Sequence, residues 1–442
     1  MKEKKRITVV KFGGGVLSDA KAISRVPEHI QRIGPPVFAI FSAFGKMTSM
    51  LESAIEDFYV EGRSSSTSFE EITVFVYKIA KELFKNNRRL KAEVESELDK
   101  MFLDLAYALK KKRNMEFGRY YDECVSYGEK ISLKIMKFYL SQFFENVICF
   151  DPEEIIITNE GSVFALPNYL LSYRAIRRAV LPYLDNCDDA VIITAGFVGG
   201  SIEGHVATMG KEGSDLTAAL IGISLEDRLR EIIFFKNTEG FLDRDPEHFK
   251  SYKSIREVDY NLLFLAASAG ARILHPGASL LLKQWKQKVK ICNFNDPEGK
   301  FTEVIPPEDE KKNSPFKLKK GKTIVTVLDD QLVYYLIPKR YLGDNNNITY
   351  ALVAASNAYI KVNFFAYTGG VVVLALSIED SVGFLEFYNK LKDFYWMNDI
   401  DSCTLYGFIP PDEKVIREVL KNKKVIFRAD TPVVTRVIVK SR

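Results

Sequence analysis

Short, uninterrupted runs of apolar residues recur along the chain at the length of β-strands. The runs at 7–12, 37–41, 190–194 and 231–235 consist mainly of valine, isoleucine, alanine and phenylalanine. Because polar residues do not alternate regularly with apolar ones there, both faces of each strand are expected to be buried. Two further strands are predicted at 147–150 and 289–293.

Between these runs, apolar residues recur at steps of three and four, which is typical of amphipathic helices. The stretch from 69 to about 113 shows this step in Phe75, Ile79 and Leu83, and these side chains are expected to lie in the core. Strands that alternate with helices predict an α/β fold, with a mostly parallel sheet sandwiched by helices. Further helices are predicted at 121–140, 168–184 and 261–269.

A polar stretch marked by prolines at 306–315 is the clearest domain boundary. We therefore predict a larger α/β domain at 1–305, a linker at 306–321 and a smaller α+β region at 322–442. Within that region the pattern predicts strands at 324–328, 359–365, 371–378, 404–408, 425–427 and 433–439, with helices near 348–355, 381–394 and 412–421. This pattern fits one small α+β unit or a pair of them.

Composition excludes several classes of function. The chain has 442 residues, with 62 basic and 58 acidic side chains, so its net charge of +4 gives no case for nucleic-acid or membrane binding. Five scattered cysteines without a CxxC pair indicate free thiols in a reducing cytoplasm. The four histidines are scattered too, and the sequence predicts neither a metal cluster nor a secretory or transmembrane segment.

The glycine-rich segment at 194–222 carries the strongest sign of a ligand site. It follows a buried strand, contains six glycines before Ser214 and Asp215, and continues as a predicted helix. Ser and Asp are residue types that begin helices, and the N–H groups and dipole at a helix N-terminus attract anions. Lys211 adds a positive charge and Asp215 a negative one, which suits a zwitterion beside a phosphate. A glycine-rich loop before a helix is, however, also common in α/β proteins without a ligand there.

A second candidate phosphate site follows the first strand. Lys11 precedes three consecutive glycines, Gly13, Gly14 and Gly15, although a tight strand-to-helix turn would need the same glycines. The polar loop from Ser42 to Thr48 follows the next strand, at the edge of an α/β sheet where ligands bind. On a predicted helix, Glu129 is more commonly a solvated charge than a site residue.

These motifs, taken together and in order, resemble the aspartokinase branch of the amino acid kinase family. Each motif is weak by itself, but five in the family's order over residues 6–295 are specific. The residues that carry the resemblance are Lys11-Phe12-Gly13-Gly14; Ser42-Ala43 with Gly45 and Thr48; Gly128-Glu129 with Ser132; Gly196-Phe197-Val198-Gly199 with Gly210-Lys211-Glu212-Gly213-Ser214-Asp215; and Gly270-Ala271-Arg272-Ile273-Leu274-His275-Pro276.

The resemblance implies that ATP with Mg²⁺ phosphorylates the side-chain carboxylate of L-aspartate to 4-phospho-L-aspartate, the first step towards lysine, threonine and methionine. It implies catalytic roles for Lys11 and Asp215. It implies substrate binding by Ser42, Thr48, Glu129, Lys211 and Ser214, and nucleotide binding by Gly13, Gly14, Gly15, Lys236, Asn237 and Arg272. It also implies a C-terminal pair of ACT domains, an amino-acid effector and a cytoplasmic homodimer or homotetramer.

The sequence departs from the family pattern at several positions. Lys211 replaces an arginine and loses its bidentate geometry, Glu212 replaces a glycine beside the anion site, and Lys236-Asn237 stands where many members have Thr-Asp. Leu242 stands where many members have tyrosine. Two alternatives therefore stay open: a kinase for another acidic amino acid such as glutamate, or an amino-acid-sensing protein with little turnover.

Overall fold

The computed structural model describes residues 5–111, 115–210, 212–306, 323–338, 361–368, 371–377 and 401–441. The chain divides into two compact units. The first comprises Met1–Phe241, Ser254–Tyr260 and Leu274–Pro306, and the second comprises Leu242–Lys253, Asn261–Ile273 and Pro307–Arg442. Lys211, the predicted linker beyond Pro306 and the predicted helices at 348–355 and 381–394 lie outside the described residues.

An eight-stranded sheet forms the centre of the first unit. Its strands are β1 (Ile7–Phe12), β2 (Val37–Phe41), β3 (Val147–Cys149), β5 (Val191–Ala195), β8 (Leu229–Lys236), β11 (Glu257–Asp259), β12 (Val289–Asn293) and β13 (Phe301–Ile305), in the spatial order β11-β13-β12-β8-β1-β2-β5-β3. Neighbouring strands are parallel except for the pair β12 and β13. The prediction of a mostly parallel sheet is confirmed, and β1 lies in its interior between β2 and β8.

Helices cover this sheet, and two of the predicted long helices are each divided in two. Ser66 and Asn87 each accept a hydrogen bond from a backbone N–H of the first turn that follows, so the segment at 69–113 forms two capped helices rather than one. The segment at 121–140 likewise forms two helices, with Ser126 between them. Among the described residues, the α-helices of the first unit are α1 (Ala20–Ile23), α2 (Val26–Ile33), α3 (Met47–Ile55), α4 (Thr67–Leu83), α5 (Arg88–Lys110), α6 (Phe117–Val125), α7 (Tyr127–Leu140), α8 (Pro152–Ile155), α9 (Tyr169–Asn186), α10 (Gly213–Ser224) and α12 (Pro276–Trp285). Most of α11 (Tyr260–Ser268) and all of α13 (Glu413–Val419) belong to the second unit.

The glycine-rich segment after β5 is not the open loop that its composition predicts. It forms a hairpin of β6 (Val198–Ser201) and β7 (Val206–Thr208), which pairs with β4 (Ile157–Thr158) in a three-stranded sheet. Two short strands later in the chain, β9 (Phe241–Leu242) and β10 (Ser254–Ile255), pair separately. Gly199 and Gly200 lie within β6, and a Cβ atom at either would approach a neighbouring backbone oxygen to 2.7 or 2.6 Å. The role of these glycines is therefore to let β6 pack closely against residues 153–156, and not to make a loop flexible.

The second unit contains a six-stranded antiparallel sheet. Its strands are β14 (Ile324–Pro338), β15 (Lys361–Thr368), β16 (Val371–Ser377), β17 (Asp401–Ile409), β18 (Val425–Asp430) and β19 (Thr435–Lys440), in the order β15-β16-β14-β17-β19-β18. Helix α13 packs Ile416 into a core with Val325, Phe408 and Val437. An α+β region after 322 is thus present, while its division into two ACT units stays a prediction.

No helix in the described part of the chain is long and apolar enough to cross a lipid bilayer.

Candidate active site

The parallel strands bring four predicted loops to one edge of the sheet. Strands β1, β2, β5 and β8 are neighbours and run in the same direction, so their carboxyl ends lie side by side. Lys11 lies near the end of β1, Ser42 follows β2, Gly196 follows β5 and Lys236 ends β8. In α/β proteins this edge is the common place for a ligand.

A buried carboxylate joins two lysines at this edge. The Nζ atom of Lys11 lies 2.7 Å from Oδ1 of Asp215, and the Nζ atom of Lys236 lies 3.0 Å from Oδ2. The Asp215 side chain has no exposed surface, and that of Lys11 has 6%. Three charged groups therefore share a site from which water is largely excluded, and their sum is one positive charge.

Burial and mutual attraction act in opposite directions on these groups. Burial by itself would raise the pKa of Asp215, but the ammonium groups of Lys11 and Lys236 outweigh it and hold that pKa at about 2. Burial lowers the pKa of Lys11, against the opposing attraction of Asp215. Burial by itself would lower the pKa of Lys236, but the negative charges of Asp215 and Glu212 outweigh it and raise that pKa overall. Asp215 is therefore ionised at neutral pH and favours the charged form of both lysines.

Helix α10 presents Asp215 from its first turn. The helix begins at Gly213, so the prediction that Ser214 and Asp215 cap it is wrong. Glu212 takes the N-cap position, with a left-handed φ of 62° and no hydrogen bond from its side chain to the helix. The reason is that Asp215 turns its carboxylate towards the two lysines instead of towards the helix's own N–H groups.

Close packing joins the turns around this carboxylate. The hydroxyl of Ser42 donates to Oγ of Ser214 over 2.9 Å, and both residues are buried. A Cβ atom at Gly196 would lie 2.4 Å from Cβ of Ser214, and one at Gly14 would lie 2.7 Å from the carbonyl oxygen of Ala43. Glycine at these two positions is therefore needed for the turns to meet.

Glu129, on α7, is a second buried carboxyl group, and it contacts the backbone of Ala43 in the turn that follows β2. Its Oε1 accepts a weak hydrogen bond from the N–H of Ala43 over 3.4 Å, and the residue is 3% exposed. Within the described part of the chain, Oε2 has no hydrogen-bond partner. Burial raises the pKa of Glu129 to about 8. Such a group would gain most from a cationic ligand.

The remaining predicted site residues are distributed as follows. Thr48 is half-buried on α3. Asn237 donates from Nδ2 to the carbonyl oxygen of Gly15 over 2.9 Å, so these two predicted nucleotide residues lie together. Gly13 lies beside Lys11, since a Cβ there would be 3.1 Å from Nζ. Arg272 belongs to the second unit, where it pairs with Glu247.

The sequence did not single out Asp122 and Thr208, two buried polar residues of the first unit. Asp122 on α6 accepts hydrogen bonds from the N–H of Val163 and from the hydroxyl of Thr208, the last residue of β7. Burial raises the pKa of Asp122 to about 7, against the opposing effect of these hydrogen bonds. On a helix, Asp122 has the pattern of an ordinary surface charge, so only its burial identifies it.

A family profile and several known proteins match the chain. The profile described as the amino acid kinase family matches residues 6–293. Aspartokinase 1, chloroplastic, of Arabidopsis thaliana is 29% identical over 375 residues, 81% of this chain and 64% of its own length. Lysine-sensitive aspartokinase 3 of Escherichia coli (strain K12) is 25% identical over 328 residues, 73% of this chain and 69% of its own length. The chain thus spans less than two thirds of the Arabidopsis relative.

Solved structures show the same fold over nearly the whole chain. E. coli aspartokinase III in complex with aspartate and ADP (R-state) matches with a TM-score of 0.78 at 19% identity, over 98% of this chain and 96% of its own. The same enzyme in complex with lysine and aspartate (T-state) matches with a TM-score of 0.69 at 20% identity, over the same shares. The predicted fold class, an amino acid kinase fold followed by a C-terminal α+β region, is confirmed.

Proposed function

Because the chain belongs to the amino acid kinase family, we propose that it transfers the γ-phosphoryl group of ATP to the side-chain carboxylate of L-aspartate. An oxygen of that carboxylate forms a bond to the γ-phosphorus, the bond to the bridging oxygen breaks, and ADP leaves with its electron pair. The products are 4-phospho-L-aspartate and ADP. The aspartokinase names of the relatives motivate the choice of substrate.

The observation that carries the proposal is the Asp215 carboxylate held between Lys11 and Lys236. Phosphoryl transfer requires positioning and neutralisation of negative charge more than covalent help from the protein. Two ammonium groups fixed in a buried site can stabilise the equatorial phosphoryl oxygens without first reorganising solvent. Asp215 would keep both lysines charged and in place, while the turn at Gly13, Gly14 and Gly15 approaches the phosphates.

The amino acid would bind beside this site, near Glu129. The unpaired Oε2 of Glu129 is suited to the ammonium group of an α-amino acid, and binding of that cation would lower the pKa of the carboxyl. Ser42, Ser214 and Thr48 supply hydroxyl groups near the reacting carboxylate. From the motif alone we assign Lys211 to the substrate's α-carboxylate.

Magnesium would enter with the nucleotide. Asp215 has both oxygens within 3.0 Å of an ammonium nitrogen, so it is not free to serve as a full metal ligand. The three described side chains close enough to share a metal ion, Asp245, Glu247 and His248, lie in the second unit. The site therefore fits Mg²⁺ held mainly by the phosphate oxygens of ATP, where the ion would neutralise their charge.

The test is ADP release from Mg·ATP with L-aspartate, with L-glutamate and without an acceptor. We expect aspartate-dependent turnover, which the substitution Lys11→Met lowers about 10²–10³-fold by removing one charge-stabilising group. Lys100→Met is the matched control, because the Lys100 side chain is 66% exposed and pairs only on the surface.

Two other results would reject the proposal. Turnover with glutamate but not with aspartate would favour a kinase for another acidic amino acid. Binding of ATP by folded protein, with no transfer to either acid, would favour an amino-acid-sensing protein. Feedback by an amino acid and assembly into a homodimer or homotetramer through the C-terminal region stay predictions.

A further inference from the structure

Asp122 is a fully buried carboxyl group, and its hydrogen bonds among the described residues go to Val163 and Thr208 rather than to Lys11 or Lys236. Its two oxygens accept the N–H of Val163 at 3.0 and 3.1 Å, and Oδ1 also accepts the hydroxyl of Thr208 at 2.5 Å. Both neighbours donate, so the carboxylate form satisfies them, whereas an amide in its place would turn an N–H₂ group towards a donor. Because burial of a carboxyl group costs free energy of folding, we ask what these hydrogen bonds of Asp122 contribute to the protein.

The contacts of Asp122 hold two segments that are strained or tightly packed. Val163 has a φ of 63°, an uncommon backbone conformation for a β-branched residue, and its N–H is bonded to Asp122. The next residue, Phe164, forms a bridge with Met209. Gly210 has a φ of 75°, and a Cβ atom there would lie 2.6 Å from the Phe164 ring.

From Thr208 the chain leads directly to the catalytic carboxylate. The N–H of Met209 donates to the carbonyl oxygen of Phe197 over 2.9 Å, and the N–H of Gly213 donates to the carbonyl oxygen of Gly210 over 2.9 Å. Helix α10 then begins and presents Asp215 two residues later. Backbone hydrogen bonds therefore hold the chain both just after Thr208 and at the start of α10.

We infer that Asp122 is a positioning residue for phosphoryl transfer: through the hydroxyl of Thr208 it fixes the backbone at 208–210, shortly before the helix α10 that presents Asp215 to Lys11 and Lys236. This inference rests on the proposed function of that site. A small displacement of a reacting group can cost up to about 10²-fold in rate even when its cause lies away from the chemistry.

The experiment compares Thr208→Val, which keeps the side-chain shape but removes the hydroxyl, with Thr208→Ser, which keeps the hydroxyl. We expect Thr208→Val and Asp122→Asn to lower kcat about tenfold with a smaller change in KM for ATP, and Thr208→Ser to stay within about twofold of the wild type. Asp57→Asn is the control, since Asp57 also accepts hydrogen bonds from two side chains, Arg63 and Ser66, at another place in the first unit.

Amide hydrogen exchange gives a readout that does not depend on turnover. In Thr208→Val, the amides of 209–215 are expected to exchange faster than in the wild type, while those of α7 are unchanged. A lower melting temperature with unchanged kcat and unchanged exchange at 209–215 would assign Asp122 a merely structural role and overturn the inference. A wild-type protein without aspartate-dependent turnover would reject the proposed function, and the exchange comparison would still decide whether Asp122 fixes the backbone at 208–210.

Discussion

Two regions at the same edge of the sheet each bury a carboxyl group, and their surroundings shift its pKa in opposite directions. Around Asp215 the negative charge is met by two ammonium groups within 3.0 Å, and its pKa is held at about 2. Around Glu129, Oε1 accepts a weak hydrogen bond from Ala43, Oε2 has no partner among the described residues, and burial raises the pKa of this carboxyl to about 8. The regions adjoin, because Ser42 contacts Ser214 and the next residue, Ala43, contacts Glu129.

The difference indicates which part of the site is complete before ligands bind. Around Asp215 the carboxylate is already paired with both lysines, and the remaining positive charge need not be reorganised when phosphate charge arrives. A buried carboxyl with an unpartnered oxygen, such as Glu129, is held at a cost in stability, which a cationic ligand can relieve. We therefore expect substitutions in the two regions to change stability in opposite directions.

The largest effect is expected for Asp215→Asn. This change leaves Lys11 and Lys236 buried beside each other without a counter-charge, and breaking a buried ion pair in this way costs about 3–5 kcal/mol of unfolding free energy. Urea denaturation would measure the loss. Activity should fall to background as well. A variant as stable as the wild type would mean that the lysines do not depend on Asp215, and the contrast between the two regions would fail.

An effect of opposite sign is expected for Glu129→Gln. The folded-state pKa of about 8 lies above the ordinary 4.5, so the folded protein holds a proton that the unfolded chain releases. The contribution of Glu129 to stability therefore falls as pH rises from about 4.5 to about 8. A neutral glutamine avoids this loss, so at pH 8 the variant should be more stable than the wild type by about 1–3 kcal/mol.

The same substitution should weaken binding of the amino-acid substrate. Thermal unfolding at a series of pH values, with KM for aspartate measured on the same samples, tests both effects. The gain in stability should vanish well below pH 4.5, where Glu129 is protonated in both the folded and the unfolded state. A Glu129→Gln variant that is less stable than the wild type at pH 8 would contradict the view that this region is uncompensated.

The smallest effect is expected for Ser42→Ala, at the junction of the two regions. It removes one buried hydrogen bond, to Ser214, and should cost about 1 kcal/mol of unfolding free energy together with a several-fold rise in KM for aspartate. Ser224→Ala is the control, because Ser224 is buried at the far end of α10 and donates only to the carbonyl oxygen of Leu220. Equal kinetic effects of the two substitutions would argue against a role for Ser42 in substrate binding.

Local pattern predicted much of the first unit because its strands are buried on both faces. The runs at 7–12, 37–41 and 289–293 became strands with the predicted bounds. The helix break at Asn87 was missed because the apolar period continues across it, while a cap is a single polar side chain. The break at Ser126 was missed as well, and the Ser126 side chain makes no capping hydrogen bond. The hairpin of β6 and β7 was missed because its glycines have no side chains that alternate in polarity.

The sequence by itself determined the α/β class, the order of strands and glycine turns, and the kinase motif set that includes Lys11, Glu129 and Asp215. These features depend on residues close together in the chain, so local pattern can specify them. Only the tertiary structure decided that Lys236 shares the Asp215 carboxylate, that Glu129 is buried without a full set of partners, and that Asp122 holds Thr208. Each of these depends on segments far apart in the sequence, and on the loss of water around a charge, which no spacing of residues records.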